Sequence, residues 1–346
     1  MLIAARERHG TPRRRGCVAA ATSPDLRRWT VGDPFWSPGL YVTHECPDLF
    51  AIGGWWYLVT SEFSDRFATR YRMSRDLTGP WSAPVEDALD GRAFYAAKTA
   101  TFAGRTYAFG WLATRVGETD DGDWEWGGTL VIHELAQLAD GTLAVRLPES
   151  IRDTFRGAPP TPSQHILGQP VSGQWAITHG TLRGDATGTH ALAVGPDVPD
   201  PALLSATIQF EKGTRGCGLW VACGDQPDEG YAIRLEPERG RVVFDRWPRR
   251  PAGSMQWHIG GDIPHAVELE RSIELDPRVP HDIEVLIEGS ACIAYIDGRV
   301  AMSARLYDQR PRRCGWFVTE GIADFRRVSI RTRSAAASSD AKGGLQ

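Results

Sequence analysis

A pattern that returns about every fifty residues in the first half of the chain constrains the fold more than any other feature. SPDLRRW at 23–29 recurs as SRDLTGPW at 74–81, and LFAIGGWWYLVTSEF at 49–63 matches ATFAGRTYAFGWLATR at 100–115. Each unit contains aromatic and β-branched runs separated by glycine turns, which is typical of β-strands. A period near fifty with about four strands per unit predicts the blades of a β-propeller.

The first repeat is incomplete at its front end. The offset of 51 residues aligns Gly53 with Gly104. MLIAAR (1–6) occupies the place that WYLVTSEF (56–63) takes in the next unit. From residue 1 to residue 151 there is room for about three blades, too few to close a ring. Because an open propeller leaves a bare strand edge, we expect either that another chain completes the ring or that this sequence lacks its N-terminal part.

The second half predicts a different all-β domain. Residues 152–164 are rich in Pro, Gly and polar side chains, which indicates a connector. Between 165 and 332, short alternating strands follow one another with glycine turns and no periodic helix, which favours a β-sandwich. The tail, 333–346, is poor in apolar residues, and we expect it to be disordered.

Composition excludes several classes of partner. The net charge is −4 with no basic stripe, so nucleic acid is not expected as a partner, and no apolar run is long enough to cross a membrane.

The six cysteines form no CxxC pair, so we expect no zinc site and no cofactor, and we interpret them as free thiols rather than disulfides. The absence of a secretory signal favours the cytoplasm, and the oligomeric state stays open.

The segment THECPDLF (43–50) carries the most suggestive chemistry. It places Glu45 and Asp48 around Cys46 and a proline, directly before an apolar strand. A Glu before Cys-Pro is ordinarily a polar turn residue. At the end of a propeller channel, however, a carboxyl beside apolar groups stays protonated and can act as a general acid.

Several further segments admit two interpretations. Tyr95 and Lys98 either line a sugar pocket or form a pair on a strand surface, and Trp111 either stacks on a sugar or belongs to the core. Asp48 equally suits a structural cap. TDDGDWEW (119–126) is either a loop over the site or a solvated hairpin tip. The histidines at 44 and 133 suit hydrogen-bonded scaffold better than catalysis.

HECPDLF (44–50), FYAAKT (94–99) and FGW (109–111), in this order, resemble glycoside hydrolase family 32, the β-fructosidases. RGCVAAATSPDLRRW (15–29) and IEVLIEGSACIAYIDGRVAMSARLYD (283–308) resemble the same family. The resemblance implies a five-bladed propeller, here incomplete, followed by a C-terminal β-sandwich. It also implies a small-molecule or oligosaccharide substrate of the sucrose or fructan type.

The resemblance implies that Glu45 is the acid/base of a retaining two-carboxylate mechanism. Cys46, Asp48, Tyr95, Lys98 and Trp111 are then expected to contact substrate. The family's nucleophile lies in an Asn-Asp-Pro element and a second Asp in an Arg-Asp-Pro element, and neither occurs in this sequence.

The sequence departs from the family at one further place, VIHEL (131–135), where members commonly have Pro-Arg before Glu-Leu. Two functional classes follow from the whole pattern. The first is a glycosidase of β-fructofuranosides whose nucleophile is absent from this chain. The second is a non-catalytic carbohydrate-binding protein.

Overall fold

The computed structural model describes residues 1–156, 168–223, 229–247, 269–308 and 313–333. The chain forms two compact units that are interleaved in sequence. The first contains Met1–Thr114, Trp124–Arg146 and Arg299–Ser303, and the second contains Arg115–Asp123, Leu147–Gly298 and Ala304–Gln346. The predicted tail lies outside the described residues from 334 onwards, as do residues 157–164 of the predicted connector.

The first unit is built from three small antiparallel sheets. Two have three strands, in the orders β1-β2-β3 and β4-β5-β6, and one has four, in the order β10-β9-β8-β7. The strands are β1 Leu2–Arg6, β2 Gly16–Thr22, β3 Thr30–Trp36, β4 Glu45–Ile52, β5 Trp55–Glu62, β6 Ala68–Ser74, β7 Phe94–Phe102, β8 Arg105–Arg115, β9 Trp124–Gln137 and β10 Leu143–Arg146. A 3₁₀ turn lies at Pro12–Arg14.

These three sheets are the predicted propeller blades, and β1 takes the place that the sequence repeat gives it. The Ser-x-Asp-Leu segments follow β2 in the first sheet and β6 in the second. Strand β1 is therefore equivalent to β5, the second strand of its sheet. Strand β1 lies beside β4, and β4 lies beside β7, so the sheets succeed one another as blades do.

The predicted alignment of Gly53 with Gly104 is wrong by one residue. Pairing runs to Ile52↔Trp55 in one hairpin and to Phe102↔Arg105 in the other. The turn residues are therefore Gly53-Gly54 and Ala103-Gly104, all with positive φ between 49° and 76°. Positive φ at both central residues is what a two-residue type I′ hairpin turn requires. The two turns are therefore alike, Gly54 is the equivalent of Gly104, and the offset within these strands is 50.

A buried polar network ties distant segments of the first unit together. Asp90 Oδ2 accepts a hydrogen bond from Ser303 Oγ at 2.5 Å and lies 2.9 Å from His133 Nε2, while Asp90 Oδ1 accepts one from the Ser303 backbone N–H at 2.8 Å. All three side chains are buried. Because both partners bond to the carboxylate, the arrangement is a structural anchor for the segment around Ser303 and not a nucleophile–base pair.

The second unit contains two seven-stranded sheets, except that residues 300–303, part of an edge strand of one sheet, belong to the first unit. Their orders are β11-β14-β23-β16-β17-β18-β19, here called the first sandwich sheet, and β12-β13-β24-β15-β20-β21-β22. The strands are β11 Gln169–Ser172, β12 Gln174–Thr178, β13 Thr181–Asp185, β14 His190–Asp197, β15 Ala202–Phe210, β16 Gly216–Cys223, β17 Gly230–Glu236, β18 Arg241–Trp247, β19 Leu269–Ser272, β20 His281–Glu288, β21 Ala291–Ile296, β22 Val300–Arg305, β23 Arg313–Thr319 and β24 Ile322–Thr332. A short helix, α1, spans Glu149–Asp153, and 3₁₀ turns lie at Val116–Glu118 and Pro237–Arg239.

The two large sheets pack face to face as the predicted β-sandwich. Trp316 of β23 and Phe325 of β24 belong to different sheets, and their rings lie 5.4 Å apart with less than 2% of either residue exposed. At Gly184 of β13, an added Cβ would lie 2.9 Å from a methyl group of Val318 in the other sheet. The sheets are therefore close enough to exclude a side chain at that point.

All six cysteines are free thiols, and five of them are buried. No helix among the described residues is long and apolar enough to cross a membrane.

Candidate active site

Glu45 stands at a β-bulge at the start of β4. The register shifts between Glu45, which pairs with Ser61, and Asp48, which pairs with Val59. Cys46 lies inside the bulge with φ +48°. Bulges bend a strand and redirect its side chains, and they are common next to functional sites.

The next blade repeats this bulge with different side chains. Tyr95 pairs with Trp111 and Lys98 with Phe109, with a register shift between them, and Ala96 has φ +57°. Glu45 and Tyr95 are therefore equivalent positions, and so are Asp48 and Lys98.

A hydrogen bond joins the two equivalent residues at the front of these bulges. The hydroxyl of Tyr95 donates to Oε2 of Glu45 at 2.9 Å. Tyr95 is 1% exposed, and burial, followed by the hydrogen bond to Glu45, raises the pKa of its phenol above the usual value. Tyr95 therefore keeps its proton and holds one oxygen of the Glu45 carboxyl.

The second pair of equivalent residues ties the two strands together. Lys98 Nζ donates to the carbonyl oxygen of Pro47 at 2.7 Å. Asp48 Oδ2 accepts from the backbone N–H of Thr99 at 2.5 Å and from its hydroxyl at 2.7 Å. These contacts cross between β4 and β7 in both directions and fix the strand segments that carry Glu45 and Tyr95.

Four rings form an aromatic cluster beside Glu45. Its members are Phe67, Tyr95, Trp111 and Trp126, and neighbouring ring centroids are 4.3 Å apart for Phe67–Tyr95, 5.3 Å for Tyr95–Trp126 and 5.9 Å for Trp111–Trp126. Trp126 is 65% exposed. An exposed aromatic surface next to a carboxyl group suits a ligand that has both an apolar face and hydroxyl groups.

Cys46 and His44, on either side of Glu45, do not offer reactive groups. Burial raises the pKa of the half-buried Cys46 thiol, which disfavours the nucleophilic thiolate. His44 is fully buried against Trp36, with ring centroids 4.6 Å apart. Burial, with a smaller contribution from Arg72, lowers the pKa of His44 from 6.5 to about 4. Among the described residues, neither nitrogen of His44 has a hydrogen-bond partner.

The acidic segment 119–126 divides between the two units. Asp120 is buried in the second unit, where its carboxylate accepts hydrogen bonds from the Tyr231 hydroxyl and the backbone N–H of Tyr307. Trp126 belongs to the first unit and joins the aromatic cluster. The segment connects β8 and β9 and is mostly exposed, as a solvated hairpin tip would be, but the burial of Asp120 departs from that interpretation.

Sequence reasoning missed two members of the aromatic cluster, Phe67 and Trp126. Phe67 has φ +53° in the link before β6, and no local pattern marks it. Trp126 lies in the segment 119–126, which the sequence left as either a loop over the site or a solvated hairpin tip, so the two tryptophans there were the available signal. Within the described residues, no group of three or more His, Cys, Asp or Glu side chains is arranged to hold a metal ion.

Comparison with known structures identifies the fold. The chain is similar to the glycoside hydrolase family 32 β-fructofuranosidase of Bombyx mori, with a TM-score of 0.61 and 18% identity over 96% of this chain and 62% of that one. It is also similar to sucrose-6-phosphate hydrolase from Lactobacillus gasseri, with a TM-score of 0.64, 15% identity and coverage of 96% and 63%. For an exo-inulinase from Aspergillus awamori, the TM-score is 0.63 at 12% identity, with 92% and 62% covered.

These similarities confirm the predicted fold, a partial β-propeller followed by a β-sandwich. The chain spans about 62% of the length of these enzymes. No protein-family model matches the sequence, and no curated protein is similar to it at the sequence level.

Proposed function

We propose that this chain is a member of glycoside hydrolase family 32, and that its first unit carries the acid/base side of a retaining site for β-fructofuranosides. The observation that carries the proposal is the Glu45 carboxyl, held by the Tyr95 hydroxyl at 2.9 Å beside the aromatic cluster. The fold shared with a β-fructofuranosidase and an exo-inulinase supports the choice of sugar. Sucrose and inulin-type fructans are the proposed substrates.

In the proposed reaction, Glu45 gives its proton to the glycosidic oxygen as the bond from that oxygen to the fructosyl anomeric carbon breaks. A carboxylate nucleophile about 5–5.5 Å from the acid would complete a retaining site. The sequence contains no asparagine, and hence no Asn-Asp-Pro element. We therefore assign to this chain the proton donor and not the nucleophile.

The other predicted site residues take supporting roles in this proposal. Trp111, with Trp126, faces the apolar side of the sugar. Tyr95 orients Glu45, and the half-buried thiol of Cys46 lines the floor next to it. Asp48 and Lys98 fix the two bulges against each other, so they contribute to substrate binding through the placement of the strands.

A second candidate function is binding of carbohydrate without catalysis. The exposed ring of Trp126 in the aromatic cluster favours it, since a ring suited to a sugar is present while the nucleophile's sequence element is absent. The two candidates differ in whether the proton of Glu45 is ever transferred.

Chemical rescue distinguishes them in the chain as it exists. Azide can replace the missing nucleophile by attacking the anomeric carbon of sucrose from the face opposite the glucose. The carbon–oxygen bond breaks, Glu45 protonates the departing oxygen, and the products are glucose and α-fructosyl azide. Without azide we expect no detectable hydrolysis, because an acid alone cannot form the fructosyl-enzyme intermediate.

We expect Glu45→Gln to lower the azide-dependent rate by roughly 10²–10⁴-fold, the contribution of general acid catalysis. Glu86→Gln, a change at an exposed glutamate of the same unit, is the matched control and should leave the rate unchanged. Sucrose binding without any fructosyl azide would favour the carbohydrate-binding protein instead.

A further inference from the structure

Two buried polar residues lie at the end of β5, beside the start of β4. Ser61 is the register partner of Glu45 in the β4–β5 pair, and Glu62 follows it as the last residue of β5. Both residues are fully buried. Burial of a hydroxyl or a carboxyl group costs free energy unless the group has hydrogen-bond partners. The partners of these two side chains therefore indicate what each residue holds in place.

The Ser61 hydroxyl holds the bulge of β7. The backbone N–H of Ala96 donates to Ser61 Oγ at 3.0 Å, and the hydroxyl oxygens of Ser61 and Thr69 lie 2.8 Å apart. Ala96 lies in the bulge, has positive φ and directly follows Tyr95. Ser61 therefore connects the start of β4, through backbone pairing at Glu45, with the segment of β7 that carries Tyr95.

The Glu62 carboxylate holds the loop between β5 and β6. Its Oε2 accepts a hydrogen bond from the backbone N–H of Asp65 at 3.0 Å, and its Oε1 accepts one from the backbone N–H of Arg66 at 3.2 Å. Nε of Arg70 also donates to Oε1, at 3.4 Å. Because two consecutive backbone N–H groups bond to one carboxylate, Glu62 fixes the turn directly before Phe67.

These contacts meet at Tyr95. The rings of Phe67 and Tyr95 are stacked, with centroids 4.3 Å apart and an interplanar angle of 23°. Ser61 thus restrains the backbone next to Tyr95, and Glu62 restrains the Tyr95 ring through Phe67. The Tyr95 hydroxyl in turn donates to Oε2 of Glu45. Since Oε2 accepts this bond, Oε1 of Glu45 is the oxygen left to carry a transferable proton.

We propose that Ser61 and Glu62 are positioning residues for the proton donor: they hold Tyr95, and Tyr95 holds the Glu45 carboxyl in the orientation for proton transfer. This inference rests on the function proposed for Glu45. Both residues act only through their neighbours, because they are buried and out of reach of a substrate. Such positioning matters because a displacement of about 1 Å at a reacting group can lower a rate by roughly 10²-fold.

Azide-dependent cleavage by the full chain tests this proposal, with sucrose and a nitrophenyl β-fructofuranoside as the two substrates. We expect Ser61→Ala and Glu62→Gln each to lower the rate on sucrose by about tenfold and the rate on the aryl fructoside by less than about threefold. Glucose needs a proton in order to leave, whereas nitrophenolate needs little, so a displaced Glu45 carboxyl mainly affects sucrose. A loss of folded protein would lower both rates by the same factor.

Tyr95→Phe tests whether the two residues act through the Tyr95 hydroxyl. This change removes the hydrogen bond to Glu45 and keeps the ring. In the Tyr95→Phe background, Ser61→Ala and Glu62→Gln should cause no further loss on sucrose, because the hydrogen bond that they position is already absent. Losses that add fully to the loss in Tyr95→Phe would overturn the proposal.

Two matched variants serve as controls. Thr69→Val removes the other hydrogen bond of the Ser61 hydroxyl and leaves the one from Ala96 in place. Glu134→Gln changes another buried glutamate of the first unit, whose partner is Arg105 at 2.9 Å. Both variants should keep the wild-type ratio of the rates on the two substrates.

Circular dichroism establishes that each variant is folded. If Ser61→Ala or Glu62→Gln unfolds, Phe67→Ala decides the question, because it removes the half-buried ring against which Tyr95 packs and should give the same difference between the substrates. The proposal alone is overturned if the wild type reacts and the folded variants keep its rates or lose the same factor on both substrates. A wild type that forms no fructosyl azide would contradict the function proposed for Glu45, and this inference with it.

Discussion

Strands β4 and β7 have nearly the same backbone and opposite chemistry. Both contain a bulge with a residue at positive φ, Cys46 in one and Ala96 in the other. At equivalent positions, however, Glu45 faces Tyr95, and the anion Asp48 corresponds to the cation Lys98. The repeat thus fixes the positions of these side chains. The residue types at the positions differ, so that one copy carries the acid Glu45 and the other carries Tyr95, which donates a hydrogen bond to it.

The hydrogen bonds between strands β4 and β7 can be removed by changing Asp48. Asp48→Ala removes two hydrogen bonds from Thr99 to a carboxylate, and we expect the free energy of unfolding of the first unit to fall by about 2–3 kcal/mol. Urea unfolding followed by tryptophan fluorescence measures the change. Thr99→Val removes only the hydrogen bond from the hydroxyl and should lower the free energy of unfolding by about half as much. If Asp48→Ala is as stable as the wild type, these hydrogen bonds do not stabilise the first unit.

Protonation of His44, directly before the β4 bulge, affects the same unit. Because the pKa of His44 is lowered from 6.5 to about 4 on folding, the unfolded chain binds more protons between these values. The contribution of neutral His44 to the free energy of unfolding is therefore complete above pH 6.5. It decreases as the pH falls, by up to about 3 kcal/mol at pH 4.

The measurement is the difference in unfolding free energy between pH 7.5 and pH 4.5, compared between wild type and His44→Leu. The variant should lose less stability over this range, since it has no group to protonate there. The same pH dependence in both proteins would remove His44 as its cause.

Relief of the backbone strain at Ala96, in the bulge of β7, is expected to have the smallest effect on the free energy of unfolding. Ala96 has φ +57°, a conformation that costs an L-residue energy and glycine little. We expect Ala96→Gly to raise the unfolding free energy by about 0.5–1 kcal/mol. Ala97→Gly, one residue later at a buried position, should lower it by about 1 kcal/mol. A loss of equal size at both positions would mean that the bulge carries no strain.

The sequence predicted both sheet architectures because repeated and alternating patterns encode strands directly. It misplaced the hairpin turn by one residue, since the Gly53-Gly54 doublet satisfies either alignment. It missed the bulge, for which Pro47 is the only local mark, and it missed the contact between Phe67 and Trp126. Such contacts, like the Asp90 network, join residues far apart in the chain, and only the fold brings them together.

The central claim, that Glu45 is a proton donor, is tested most directly by changing the leaving group. In azide-dependent cleavage, glucose leaving from sucrose needs protonation, whereas nitrophenolate leaving from an aryl β-fructofuranoside needs little. We predict that Glu45→Gln lowers the rate on sucrose by roughly 10²–10⁴-fold and the rate on the aryl fructoside by less than about tenfold. An equal loss on both substrates would contradict this account, because Glu45 would then hold the site together without donating the proton.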